Sequence, residues 1–309
     1  MRLPIDCVQR IGRNVTQTEF LPSIEDELTR AADRLSQAGV SDPRREALSL
    51  WAALAGVSLA GAWTQRRDTI GVADATRFRR AVDRRCAGEP LPYAVKSASF
   101  RFLELTVDSR VLIPRPETEG LVDLALEWAR RHPRSRCLSG LEIGVGSGCI
   151  ILSLATEGEF ARLVGTDVSA EALDLANGNL NTVSPDTPVE LCRGSFFDGV
   201  AVAASFDLVI SNPPYVTETE FRSLEASVRD HEPHVALVSP DDGMFHIREI
   251  CRGAAEVLRA HGLLLLEIDE RRGVPAHEVA VEAGFDHVEI LQDLFGRDRY
   301  LRASKGAVV

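Results

Sequence analysis

Between residues 139 and 302 seven short apolar runs recur, and stretches of helical period separate most of them. No other feature restricts the fold of this protein as strongly. The runs cover 139–143, 163–167, 189–192, 208–211, 263–268, 287–292 and 300–302, and the helical stretches include 170–180 and 244–260. Strands that alternate with helices cannot close as simple hairpins. They form a largely parallel sheet with helices on both faces, so the expected class is α/β. The last pair is the exception, because residues 293–299 leave no room for a crossover helix. Those two strands are expected to pair antiparallel at the edge of the sheet.

Upstream the period changes. Residues 1–22 have no clear periodicity and read as an extension. "SIEDELTRAADRLSQAGV" then opens on a helix-capping serine, Ser23, and sets Ile24, Leu28, Ala31, Ala32 and Leu35 on one side. Gly39 closes that helix; Ser41, Asp42 and Pro43 open the next, which carries Ala47, Leu48, Leu50, Trp51 and Leu54. Helical character runs to about Arg85, and Gly88-Glu89-Pro90 ends it. "SFRFLELTVDSRVLIP" alternates apolar and polar residues and reads as a β-hairpin with Asp108-Ser109 at its turn. The expected organisation is a helical domain at 1–87, a linking β-hairpin at 88–115 and an α/β domain at 116–309. A sequence of 309 residues is long enough for both cores. No internal repeat or low-complexity tract is visible.

Composition narrows the partners. Hydrophobic residues make up 45% of the sequence and charged residues 26%, as in ordinary globular proteins. The net charge of −11 argues against broad electrostatic attraction to nucleic acid or to an anionic membrane. The arginine pairs 44–45, 66–67, 79–80 and 84–85 read as solvated helix faces rather than as an RNA patch. Six scattered cysteines (Cys7, Cys86, Cys137, Cys149, Cys192, Cys251) without a C-x-x-C pair suit reduced thiols. Neither a signal peptide nor a run of membrane-spanning length is seen, so the expected address is the cytoplasm, with no membrane partner.

"GLEIGVGSGCIILSLA" (140–155) is a strand, a glycine turn and a helix start. Gly144, Gly146 and Gly148 have G-x-G-x-G spacing, which differs from the G-x-G-x-x-G of dinucleotide binders. Glycine admits positive φ and lets a ligand approach the backbone, and the helix start offers free N–H groups to an anion. Asp167 ends the next strand, where carboxylates commonly accept from ribose hydroxyls. Turn, helix and acid in that order point to a nucleoside cofactor. The spacing favours S-adenosylmethionine (SAM) over NAD.

"FDLVISNPPYV" (206–216) breaks a strand with two prolines, which donate no backbone hydrogen bond. Ligands of a doubly wound sheet sit beyond the carboxyl ends of its strands, so Asn212 is expected on the same edge as the glycine turn. Asn212-Pro213-Pro214-Tyr215 resembles the motif of amino-methyltransferases acting on planar nitrogens. The amide carbonyl of the Asn212 side group and the backbone carbonyl of Pro213 can accept from a substrate NH2 group and aim its nitrogen. The prolines hold those acceptors rigid, and the Tyr215 ring can cover a flat substrate group.

"VLIPRPETE" (111–119) decides among such enzymes. From about residue 24 to 303 the sequence closely resembles the HemK/PrmC family, which methylates the glutamine of the Gly-Gly-Gln motif of peptide-chain release factors. "GEPLPYAV", "GTDVSAEALDLAN", "HEPHVALVSPDDGM", "LLLLEI" and "EAGFDHVEILQDLFGRDRYL" extend the likeness. The resemblance implies a seven-stranded, Rossmann-like SAM-dependent methyltransferase domain with a small N-terminal helical substrate-recognition domain. It assigns Gly144, Val145, Gly146, Ser147 and Gly148 to the methionine part of SAM, Asp167 to the ribose and Phe196 of "GSFFDG" to the adenine. Asn212, also counted among the cofactor contacts, would hold the target amide with Pro213, Pro214 and Tyr215. Arg115, Glu117 and Glu119 would shape the wall of that pocket.

The implied partner is a release factor, methylated at N5 of glutamine by a monomeric enzyme with no direct nucleic-acid binding. A small-molecule amide or guanidine, or another protein glutamine, is the alternative substrate. A SAM-binding protein with a degenerate site is a further alternative, against which the intact Asn-Pro-Pro-Tyr speaks. Four departures bear on this choice: Glu142 stands for a usual Asp, Ser195 for an acid, and Lys96 and Asp269 for glycines. The pair His231 and His234 in "HEPH" is too sparse for a metal site, and none is expected. Cys149 reads as a small buried residue, and Glu232 and Asp242 as candidate pocket acids.

Overall fold

The computed structural model describes residues 22–132, 137–200 and 206–306. The expected extension at the N-terminus and Cys7 lie outside the described residues. The protein divides into two compact units, one up to Val82 and one from Asp83 onward.

The first unit is helical: α1 (Ile24–Gln37), α2 (Pro43–Ala55), α3 (Leu59–Thr64) and most of α4 (Val72–Cys86). Ser23 accepts from the Asp26 amide while Asp26 reaches back to the Ser23 amide, a reciprocal cap that stabilises α1 by about 1 kcal/mol. Asp42 and Pro43 open α2 as the sequence implies. Glu27, absent from the expected apolar face of α1, is buried there because Arg79 clasps both its oxygens, at 2.9 and 2.6 Å. Trp51 meets Phe78 edge to face at 5.9 Å, both buried.

The second unit begins with α5 (Leu91–Val95) and the hairpin β1 (Ser97–Phe100) and β2 (Leu103–Thr106). The hairpin exists, but its turn is at Arg101-Phe102 and not at Asp108-Ser109. Arg101 takes a positive φ of 54° without being glycine, and tertiary contacts hold it there. Its amide donates to Glu119 at 2.9 Å, and its guanidinium is gripped by Glu157 (2.7 Å) and Asp123 (2.8 Å). Asp108 instead folds back on the backbone and guanidinium of Arg110.

Then follow α6 (Pro116–Arg131), β3 (Leu138–Ile143), α7 (Cys149–Glu157), β4 (Phe160–Asp167), α8 (Ala170–Val183), β5 (Val189–Arg193) and β6 (Phe206–Ser211). Three short turns, α9 (Glu218–Phe221), α10 (Ala226–Arg229) and α11 (His234–Leu237), lead to α12 (Phe245–Val257). The last elements are β7 (Leu258–Glu267), α13 (Gly273–Glu282), β8 (His287–Gln292) and β9 (Asp298–Ser304). All seven expected runs are strands. The helix expected over 244–260 stops at Val257, because Leu258 already pairs with Phe206 in the sheet.

The sheet order is β5-β4-β3-β6-β7-β9-β8. The first five strands are parallel, while β9 runs antiparallel to both β7 and β8, so the expected terminal hairpin ends the sheet. Alternate residues of each strand feed two cores. Leu208, Ile210, Leu263 and Leu265 pack with α6 and α7, whereas Val209, Leu264 and Leu266 pack with α12 and α13. A sheet buried on both faces needs such unbroken apolar strands. From β3 the backbone winds outward through β4 to β5, then crosses back to β6 on the other side of β3. That reversal opens a crevice beyond the carboxyl ends of β3, β4 and β6.

Candidate active site

A cavity of about 400 Å³ occupies the crevice. Its lining runs from Gly144, Val145, Gly146 and Ser147 past Asp167 and Phe196 to Asn212, Pro213 and Pro214. Most residues expected at the cofactor end and at the chemical end thus share one cavity; Gly148, Glu117, Glu119 and Tyr215 do not line it.

The cofactor end is built mainly from backbone. Gly144 and Gly146 have φ of 77° and 53°, and a Cβ on either would meet no atom within 4 Å, so the turn faces open space. The amides of Gly144 and Val145 are anchored on the Thr166 carbonyl at 2.8 and 3.1 Å. Gly148 lies outside the lining and caps α7, with φ 85°. Asp167 is clamped from both sides: Oδ2 accepts from the Gly146 amide and Oδ1 from the Ser169 amide, each at 2.9 Å. Each carboxylate oxygen keeps a lone pair for a hydroxyl.

Glu142 lies beneath the turn and takes the Ile151 amide at 2.9 Å, one of the helix-start donors expected to be free. Complete burial holds its carboxyl well above the usual range, with the Asp167 charge adding to the effect. Cys149 lines the cavity next to it, and desolvation pushes its thiol up to about 12. A thiol so raised is a poor nucleophile, in keeping with the packing role read for it. Phe196, at a positive φ of 52°, stands with Phe245 and His246 at ring distances of 6.0 and 5.6 Å. That group forms an aromatic corner, and burial lowers the His246 pKa, which favours the neutral ring.

The chemical end is built mainly from side chains. Ser211 closes β6 by donating to the Ile143 carbonyl at 2.7 Å, which ties the ends of β6 and β3 together. Asn212 follows, and its Nδ2 donates to the Thr118 hydroxyl at 3.0 Å. Thr118 in turn donates to Glu267 at 2.6 Å. Among the described residues no hydrogen bond is made by Asn212 Oδ1 or by the Pro213 carbonyl. Two acceptors at the cavity therefore lack a donor among the described residues.

Arg115 lines the wall as expected and pairs with the buried Glu232 at 2.6 Å. Glu232 also accepts from the Ile113 amide at 3.2 Å. It therefore holds Arg115 and the segment before α6 rather than facing the cavity. Glu117 and Glu119 do not reach the lining. Glu117 faces Arg297 at 3.4 Å and Glu119 accepts from the Arg101 amide, because the first turn of α6 points the intervening Thr118 inward instead. The Tyr215 ring is likewise outside the lining, with its hydroxyl 3.4 Å from Glu267. Asp242 pairs with Arg248 and accepts from the Met244 amide, away from the cavity.

Thr118 and Glu267 were not singled out by sequence reasoning. The available signal for Glu267 was a single acid directly after four buried leucines at the end of a strand. Among the described residues no group of three or more His, Cys, Asp or Glu is placed to hold a metal ion. Nor, among them, is any single helix long and apolar enough to cross a membrane.

Residues 26–95 match a family model described as the PrmC N-terminal domain, and residues 130–228 one described as the methyltransferase small domain. The hMettl16 catalytic domain, solved in complex with a 3′UTR hairpin, shares the fold with a TM-score of 0.53 at 15% identity, covering 76% of this protein and 82% of that one. Fold and family match together define a methyltransferase. The release factor glutamine methyltransferase of Deinococcus radiodurans is 34% identical over 91% of this protein and 98% of its own length. That of Cereibacter sphaeroides is 36% identical over 90% and 97%. The protein belongs to the release factor glutamine methyltransferase family.

Proposed function

We propose that the protein transfers a methyl group from SAM to N5 of a glutamine in a peptide-chain release factor. The observation that carries this reading is the pair of unpartnered acceptors, Asn212 Oδ1 and the Pro213 carbonyl, in the same cavity as the glycine turn. When bound, SAM supplies an electrophilic methyl group on a sulfonium sulfur.

The residues present fit such a cofactor. Gly144 and Gly146 leave room against the backbone, Asp167 is fixed to receive hydroxyls, and Phe196 with Phe245 and His246 forms an aromatic corner of tilted rings for a base. At the other end, a primary amide offers two N–H donors to two acceptors held by a rigid Pro-Pro segment. That match orients the amide plane and favours the nitrogen as it becomes tetrahedral and positive. The acceptors hold the N–H protons until the nitrogen, once methylated, gives one up to solvent, so no base is needed beforehand. Arg115, positioned by Glu232, forms the wall beside the target segment. Residues 1–87 would serve as the substrate-recognition domain, 88–115 as the hairpin link and 116–309 as the catalytic domain.

The test is incubation with methyl-labelled SAM and separate pools of release factor, total RNA and small metabolites. Label is expected on the release factor, at glutamine. Label on RNA alone, or on a small amide or guanidine alone, would overturn the substrate assignment.

A further inference from the structure

Thr118 and Glu267 stand 149 positions apart in sequence and meet at the back of Asn212. A threonine hydroxyl carries one proton. Here it goes to Glu267 Oε2 at 2.6 Å, so the oxygen can only accept from Asn212 Nδ2 at 3.0 Å. The two ends of the Asn212 amide are thereby distinguished, and the carbonyl end is left for a ligand. We propose that Glu267, acting through Thr118, sets which end of the Asn212 amide is presented to the substrate, so that both are positioning residues for transfer. The inference rests on the reading that Asn212 accepts from the substrate NH2 group.

Glu267 sits at the end of β7 among Thr118 and Glu117 of α6, Cys149 of α7, Tyr215 after β6, and Arg299 and Tyr300 of β9. Burial raises its pKa most and Glu117 adds to that, while Thr118, Arg299 and Tyr215 oppose it; the result is about 7. As a carboxylate, Glu267 can only accept, which enforces the relay from Asn212 to Thr118 to Glu267. As a neutral acid it can donate to Thr118. The hydroxyl proton is then released toward Asn212, whose amide can turn and present N–H groups to the substrate's own N–H groups. A donor facing a donor turns the reacting nitrogen away from the line of transfer while the rest of the substrate stays bound.

Two readouts test this. Asparagine-selective 15N labelling follows the Asn212 side-group amide, identified by its loss in Asn212→Asp. In the wild type that signal should shift with pH, with a midpoint near 7. Thr118→Ser should retain the shift, and Thr118→Val and Glu267→Gln should abolish it. With release factor as substrate, wild-type kcat should rise through the same pH range, and Glu267→Gln should flatten the rise. Thr118→Val, which matches threonine in shape, should lower kcat about 100-fold. KM should stay within about threefold, and Thr118→Ser should recover most of the loss. A folded Thr118→Val that keeps both the titration and kcat overturns the proposal. If wild-type enzyme leaves release factor unmethylated, the substrate assignment fails, and the amide signal still decides for or against the relay.

Discussion

The two ends of the cavity are built by opposite means. At the glycine turn the ligand-facing surface is backbone from one short segment, fixed by the Thr166 carbonyl and the Asp167 carboxylate. At Asn212 it depends on side chains from α6, β6 and β7, joined only when the sheet is complete. A backbone surface tolerates changes around it but not an added side group. A relay of polar side groups tolerates added bulk nearby but not the loss of one polar atom. Substitutions at the two ends should therefore fail in different ways.

The largest expected effect is at the backbone end. Gly146→Val puts a branched side group at a φ of 53° and into open cavity. SAM affinity measured by calorimetry should fall on the order of 1000-fold, about 4 kcal/mol. The Asn212 amide signal should be unchanged; if it moves, the ends are coupled and the contrast fails.

The next effect belongs to Glu267. Its carboxyl titrates near 7 when folded against an ordinary 4.5. Below 4.5 both folded and unfolded states hold the proton and nothing is lost. Between the two values the unfolded state releases it first, so stability falls with rising pH, by on the order of 3 kcal/mol in all. Glu267→Gln lacks that titration. Its stability relative to wild type, from urea unfolding at pH 4 to pH 8, should grow from about pH 4.5 to about pH 7 and level off above that. A constant difference would show that Glu267 is not held neutral by burial.

The smallest effect lies away from both ends. Lys96 caps α5 at a φ of 62°, which explains why glycine suits the position it departs from. Lys96→Gly should stabilise the protein by about 1 kcal/mol in thermal or urea unfolding. SAM binding and transfer should not change; a change in either would link this turn to the cavity.

The same contrast governs what could be read in the sequence. The glycine turn, Asp167 and the seven strands were legible because each is local: spacing and period carry them. Asn212 was legible because two prolines end its strand. Thr118 was hidden between two glutamates that looked more chemical, and only the phase of α6 decides that Thr118 faces inward while Glu117 and Glu119 pair elsewhere. The hairpin turn was misplaced for a related reason. Arg101 has no turn propensity, and Glu119, Asp123 and Glu157 hold it in place from distant positions. Local signals reveal backbone devices; contacts across the fold reveal the rest.

The central claim, that one end of the cavity binds the cofactor and the other directs transfer, is tested most directly by Asn212→Ala. Its SAM affinity and its methylation of release factor should be measured on one preparation. The expected result is SAM binding within about threefold of wild type, with transfer lowered about 100- to 1000-fold. Transfer at the wild-type rate, or loss of SAM binding equal to the loss of transfer, would contradict it.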